Sequence, residues 1–586
     1  MNRTLTLAVM ALLISATGAS AVDHTTRVVG PVRSWQASDL ARFSDQVVHV
    51  KFVEGSTIAW NGDRFAGSGA GDLGIVQAAM AKHEIVAVQP TFNVERATAR
   101  AWKAAGEART GNAGPDLSLW FTIRVRGGAS EVAGLINDLN ASPAVEIAHP
   151  EAKPELASVV AEQKREQAAL AVIPDFTGMQ GYLYAPPVGL DAPAAWAYPG
   201  GKGEGGKFID VELAWTENHL DFPFARMFHL GGAAEDPNVG YINHGSAVLG
   251  EVIGQENGFG VNGFAPNLEG YGMVAVTEAE WPTVPHRFQE AVDNLEAGDV
   301  WLIELQMYPP GHTATPMEWL QVNYDVIWTS SWARQVICVE AGANGSQNLD
   351  DAGWGGVFNR NVRDSGAIMV GAGTPQGLVA EGFSNYGSRM DVHAWGSQIV
   401  TTGYGDLYDE GPQTTEYTAG FGGTSGASPM VTGSVLCLTG IARAAGIPFT
   451  PALIRTILHD TGTPQAGTRL IGPRPRLGAA ASAILSTAGV AASESAVPWR
   501  IESSPNPFTE SIRLQIDSPA HTAFRVGVYD VGGRSVRALG GLPGGGAQTI
   551  AWDGRDDRGV ALGAGVYFFK IEAPGFDRTV KVQKIH

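Results

Sequence analysis

The sequence predicts an α/β protein: a mostly parallel sheet flanked by helices, preceded by a small α+β unit and followed by a C-terminal β-sandwich. Three observations predict it. Between about residues 187 and 488, short and nearly all-apolar runs alternate with helical spacing, as strands buried on both faces beneath helices do. Ahead of that block runs a strand, a helix and a strand in order. Behind it, short strands are separated by glycine-rich turns. A chain of 586 residues also exceeds what one hydrophobic core supports, so several domains are expected.

The elements follow in order. Arg3, the apolar stretch Leu5 to Ile14 and then Ala19-Ser20-Ala21 form the charged, apolar and small-residue regions of a secretory signal peptide, so residues 1–21 are expected to be removed on export. The apolar stretch is too short to span a bilayer, and no later segment reads as a transmembrane span. In residues 22–175, Val47 to Val53 and Leu117 to Val125 read as strands. Ala129 to Leu139 carries Val132, Leu135, Ile136 and Leu139 at helical spacing, and Ala144 to Ile147 returns as a strand. Glu151 to Gln167 is charged and alanine-rich, which suits an exposed helix or linker. In 187–488 the apolar strands are Gly206 to Val211, Val300 to Leu305, Val336 to Val339 and Ala367 to Val370. Helical patterns lie at Val284 to Ala297, Met317 to Trp332 and Pro451 to Leu458, the last opening on a proline suited to a first turn. Ala480 to Ser495 is small and polar, with 489–498 the expected linker. In 499–586, Ile512 to Ile516, Phe524 to Tyr529, Thr549 to Trp552 and Val566 to Ile571 are strand-like. Asp530-Val531-Gly532-Gly533, Gly544-Gly545-Gly546 and Asp553-Gly554 supply the turns.

Composition narrows the function. With 44% apolar and 17% charged residues the chain is not wholly disordered. Its 75 glycines lack a three-residue period, so they mark turns and not collagen. The net charge of −19, from 59 acidic and 40 basic residues, offers little for a nucleic-acid face. Residues 499–586 hold 11 basic and 9 acidic side chains, leaving 29 and 50 elsewhere, so the acidity sits ahead of the tail. Cys338 and Cys437 are the only cysteines, which excludes a disulfide scaffold or a four-cysteine metal site; both read as inert core thiols.

Three segments carry chemistry. Gly423-Thr424-Ser425-Gly426-Ala427-Ser428-Pro429 opens an apolar helix, putting Ser425 where free N–H groups and the helix dipole favour negative charge. A bare Gly-Thr-Ser would be an ordinary cap; the Ala-x-Pro continuation makes the signal specific. His244, in His244-Gly245-Ser246-Ala247-Val248-Leu249-Gly250, enters a second apolar helix and can serve as a base. Asp210 ends the apolar strand Lys207-Phe208-Ile209, where a carboxylate can orient an imidazole or simply form a turn.

Taken together, Asp210, His244 and Ser425 in this order resemble the subtilisin-like serine peptidases. Cys338 to Gly345 is similar to that family's strand and loop bearing an oxyanion-hole asparagine, here Asn344. Phe383-Ser384-Asn385-Tyr386-Gly387 and Asp391-Val392-His393-Ala394-Trp395-Gly396 resemble segments preceding its serine motif. The resemblance implies a serine endopeptidase: Ser425 attacks the scissile carbonyl, His244 relays the proton, Asp210 orients His244, and Asn344 with the Ser425 N–H holds the oxyanion. No cofactor is implied for the chemistry. A structural calcium is implied at Asp221 and Asn257, whose oxygens are suitable hard ligands. The sequence departs from the family at three places: Glu212 stands where glycine usually follows the aspartate by two, Gly-Ser-Ala-Val-Leu-Gly follows the histidine, and Glu304-Leu305-Gln306 replaces the Ser-Leu-Gly of the strand that pairs with bound peptide.

Residues 22–175 resemble the family's propeptide, which implies an intramolecular inhibitor and a self-cleavage between Lys164 and Gln180. Ser504-Pro505-Asn506-Pro507-Phe508, Val528 to Arg534, Trp552 to Asp556 and Gly565-Val566-Tyr567-Phe568 resemble C-terminal immunoglobulin-like domains of exported bacterial proteins, related to flagellar hook-capping and sorting tails. That implies secretion machinery or a cell surface as partner, or a plain spacer, with protein or peptide substrates for the enzyme in an extracellular location. Two other readings compete: an adhesion protein with an inactive peptidase-like domain, and an α/β-hydrolase. The second needs Gly-x-Ser-x-Gly, and position 427 is alanine.

Overall fold

A computed structural model describes residues 27–158, 172–231, 238–276, 283–491, 500–518, 524–542, 546–573 and 576–585. The expected signal peptide, the stretch 159–171 and the segment 492–499 lie outside the described residues. The chain divides into one unit ending at Ala488 and a second from Gly489.

The first unit opens on an antiparallel sheet with strand order Ile85–Pro90, Trp120–Val125, Phe43–Phe52 and Val145–Ala152. The helix Ala129–Asn140 lays Val132, Leu135, Ile136 and Leu139 into the core of this sheet, as their spacing predicts. The same core continues into Val284, Phe288, Val322 and Val326 of the following block, so residues 27–158 share one apolar interior with the larger sheet.

That larger sheet has seven strands, all paired in parallel. Their order is Val392–Trp395, Ile368–Gly373, Ile337–Ala341, Val300–Ile303, Lys207–Glu212, Gly270–Ala275 and Met227–Gly231. Strands in the middle are buried on both faces, which is why they read as nearly all-apolar runs. Parallel pairing brings the C-terminal ends of the strands to one edge, the usual place for a site in such sheets. The helix Thr424–Ala444 has the length and a mean hydropathy of 1.2 that would fit a membrane span, yet it is buried from Thr424 to Ala442 as a core helix.

Several expectations need correction. Glu151 to Gln167 is not an exposed helix over its described part: Glu151 and Ala152 end a sheet strand and Glu155–Leu156 form another. The apolar stretch Met317 to Trp332 breaks into a short turn, the helix Gln321–Trp328 and a wider turn Thr329–Arg334. The small-residue stretch from Ala480 is helical within Leu477–Ala491, because Leu477, Ala480, Ala481 and Ile484 form a buried stripe at helical spacing.

The second unit is a β-sandwich. Arg500–Ser504, Ile512–Ser518 and Gly546–Trp552 make one sheet; Ser535–Leu542, Phe524–Asp530, Gly565–Ala573 and Phe576–Lys584 make the other. Alternate residues of both, such as Leu514, Ile516, Val526, Val528, Phe569 and Ile571, fill its interior.

Candidate active site

The strand Lys207–Glu212 carries two carboxyls, Asp210 and Glu212, two residues apart and both fully buried. Residues at this spacing share a face of a strand. His244 sits in the helix Val239–Ile253, capped by Asn238 through a 2.9 Å bond from Gly240 N–H. A side chain at Gly245 would meet Ala214 O at 2.2 Å and the Trp215 ring at 2.5 Å, so only glycine lets this helix approach the end of the strand.

The imidazole does not pair with Asp210. His244 Nδ1 and Glu212 Oε1 share a hydrogen bond at 2.5 Å, while Asp210 Oδ2 accepts from Trp215 Nε1 at 2.8 Å and its Oδ1 has no hydrogen-bond partner. The reason is position along the strand. Glu212 stands two residues closer to the edge where His244 arrives and has one more methylene of reach; Trp215, in the following turn, folds back over Asp210. An expectation of aspartate at this site hid the glutamate, although the unusual Glu212 was visible in the sequence.

Ser425 begins the helix Thr424–Ala444 after Gly423, whose φ of 106° suits glycine. Asn344 follows Ala343 in the loop after strand Ile337–Ala341, and its Oδ1 accepts from Thr424 N–H at 3.0 Å and Thr424 Oγ at 3.1 Å. That fixes which way its amide faces. Asn344 Nδ2 donates to Ala157 O at 2.5 Å, and Ser425 N–H donates to the same oxygen at 3.2 Å.

Ala157 belongs to a peptide lying in the cleft. Leu156 pairs with Leu305 and Glu155 with Gln306 in an antiparallel ladder, Ala157 N–H donates to Glu304 O at 3.2 Å, and Ser158 bridges to Gly423. Glu304-Leu305-Gln306 is thus the strand that pairs with peptide, as its resemblance implied. Beneath this peptide, His244 Nε2 and Ser425 Oγ are both buried with no hydrogen-bond partner. The Ser425 hydroxyl also lies near enough to Glu304 to offset part of the rise in that carboxyl's pKa.

Water exclusion governs the electrostatics. Burial pushes His244 down to about 3, and raises Asp210, Glu212 and Glu304 well above the usual carboxylate range. Asp210 and Glu304 are raised further by neighbouring carboxyls. Glu304 Oε1 accepts from Ser428 Oγ at 2.5 Å. With Glu212 ionised, Nδ1 carries the His244 proton and Nε2 presents its lone pair.

The expected calcium ligands have another arrangement. Asp221 Oδ1 accepts from Asn257 Nδ2 at 2.8 Å and Oδ2 from Val261 N–H at 2.9 Å, while Asn257 Oδ1 accepts from Phe259 N–H at 3.1 Å. Burial pushes Asp221 up to about 6. Every carboxyl oxygen already takes an N–H, and among the described residues no three His, Cys, Asp or Glu side chains gather as a metal set. These residues do not fit a calcium cage as arranged. Cys338 and Cys437 are both buried and unbridged, and burial raises both thiols.

Comparisons with known proteins agree on the class. A model described as "Subtilase family" matches residues 231–474, and one described as "FlgD Ig-like domain" matches 507–575. The first match includes His244, Asn344 and Ser425 and begins after both Asp210 and Glu212. The chain is 28% identical over 336 residues to a thermophilic serine proteinase of Bacillus sp. (strain AK1), covering 57% of this chain and 72% of that one. It is 27% identical over 229 residues to an alkaline protease of Alkalihalobacillus alcalophilus, covering 39% of this chain but only 52% of that relative. It is also 27% identical over 229 residues to subtilisin Savinase of Lederbergia lenta, covering 39% of this chain and 73% of that one.

Proposed function

We propose that this chain, which carries a subtilase-family domain and an FlgD Ig-like domain, is an exported serine endopeptidase made as a self-inhibited precursor, with Glu212, His244 and Ser425 as its triad. One observation carries the reading: Ala157 O accepts from both Asn344 Nδ2 and Ser425 N–H, as an acyl oxygen in an oxyanion pocket would.

The chemistry uses side chains and backbone alone. Ser425 Oγ attacks the Ala157 carbonyl carbon as His244 Nε2 takes its proton, and Glu212 stabilises the resulting imidazolium through Nδ1–H. The negative charge collects on Ala157 O between its two donors. Collapse breaks the bond to Ser158 N, which receives the proton from His244. Water, deprotonated by the same imidazole, then releases Ala157 as a free carboxylate. Residues 27–157 remain seated through the shared core and through Asp325, which accepts from Trp120 Nε1 at 2.9 Å and pairs with Arg27. The retained product strand then blocks the cleft until it is removed.

This reading moves the expected cut upstream, from the window Lys164–Gln180, part of which lies outside the described residues, to Ala157–Ser158. N-terminal sequencing of refolded precursor at early times tests it. The new terminus should be Ser158, and Ser425→Ala should leave the chain whole. A different first cut, or the same cut in Ser425→Ala, overturns the proposal.

A further inference from the structure

Gln306 has a side chain that touches both the peptide and the oxyanion loop. It is the middle residue of Leu305–Met307, pairing through its backbone with Glu155 on one side and Pro316 on the other. Its amide is buried, at 4% exposure, and makes three hydrogen bonds. Nε2 donates to Leu156 O at 2.9 Å and to Tyr308 Oη at 3.2 Å, and Oε1 accepts from Asn344 N–H at 3.0 Å. The chemistry of the partners fixes the amide: a carbonyl oxygen can only accept, and a backbone N–H can only donate.

On the reading of Ala157 as the acyl residue, Leu156 O is the carbonyl one residue upstream, outside the backbone ladder's own bonds to Glu304 and the oxyanion donors. We propose that Gln306 is a specificity-determining residue that reads this upstream carbonyl and, through Asn344 N–H, couples an extended peptide to the geometry of the oxyanion pocket. The favoured substrate class is then a peptide with at least two residues on the acyl side. Short esters fill the acyl position and leave one Gln306 donor without its carbonyl. A buried donor left unpaired costs more than the bond itself contributes, which is what makes the contact selective.

Two substrates and two variants of the processed full chain test the inference. Acetyl-Glu-Leu-Ala p-nitroanilide supplies the upstream carbonyl; p-nitrophenyl propionate keeps the acyl carbon and methyl of alanine and lacks everything upstream. Gln306→Glu retains an acceptor for Asn344 N–H and sets an oxygen against the carbonyl. It should lower kcat/KM on the anilide about 10- to 100-fold and on the propionate by no more than about threefold. Gln306→Leu, close in size and unable to hydrogen-bond, should lower both and the anilide more. Equal losses on the two substrates in both variants, or no loss on the anilide in either, overturn the inference. Failure of the underlying active-site assignment looks different: Ser425→Ala would still cleave the anilide, and a fluorophosphonate would leave the wild type unlabelled.

Discussion

Replacing Glu212 by glutamine should abolish turnover, while replacing Asp210 by asparagine should not. The imidazole is held by a 2.5 Å bond from His244 Nδ1 to Glu212 Oε1, and Asp210 is engaged with Trp215 Nε1. A glutamine can turn its NH2 toward Nδ1. The His244 proton then moves to Nε2, and the nitrogen facing Ser425 loses the lone pair that must accept the hydroxyl proton. The equivalent loss of the orienting carboxylate in a serine peptidase costs about 10,000-fold in kcat, or roughly 5.4 kcal/mol at about 1.36 kcal/mol per decade. The Glu212 side chain acts on His244, so the loss should fall on the chemical step. Self-cleavage of the precursor is the assay, because each molecule presents its own substrate and the intact-mass time course reads the chemical step directly. Glu212→Gln should stay uncut over times when wild type is fully processed, and Asp210→Asn should process within about threefold of the wild-type rate. The reasoning fails if Asp210→Asn is the dead variant, or if Glu212→Gln cleaves itself normally.

Asn344→Ala should reduce kcat about 100- to 1000-fold with little change in KM, the usual cost of one oxyanion donor; a purely KM effect would remove Asn344 from that role. Asp210→Asn should also alter stability, measured by thermal melts in the Ser425→Ala background. Burial raises Asp210 above its ordinary 3.8, so the folded chain binds that proton more tightly than the unfolded one. Wild-type stability therefore falls as pH rises past 3.8, and an amide escapes this loss. The variant should melt higher than wild type at pH 8, by about 1 °C for each 1 kcal/mol in a unit of this size, and lose the advantage near pH 3. An equal difference at both pH values would contradict that linkage.

Much of the fold was legible because each strand and helix announces its burial locally. Ile368–Gly373 is apolar throughout and Ile337–Ala341 is so at every position but Glu340, as covered parallel strands require, and Ala129–Asn140 keeps its apolar face at helical spacing. Legibility ended where a segment's surroundings are not its own sequence neighbours. Glu155 and Leu156 look like part of a charged linker, and they are a strand because the edge at Leu305 lies open to them. The stretch from Ala480 looks like a linker, since Ala480 and Ala481 contribute little apolar surface until a neighbour covers them together with Leu477 and Ile484.

At the candidate site the sequence by itself singled out Ser425, His244 and Asn344, because each is tied to a local backbone form: a helix start after a glycine for Ser425, a glycine-flanked helix for His244, and a strand end for Asn344. Tertiary structure alone decided the partner of His244 and the identity of the bound peptide. Asp210 and Glu212 emerge from one face of one strand, and no local rule chooses between them. The choice is made by which carboxyl reaches across to a helix more than thirty residues later and which is taken by Trp215, a matter of distances that a linear order of residues does not contain.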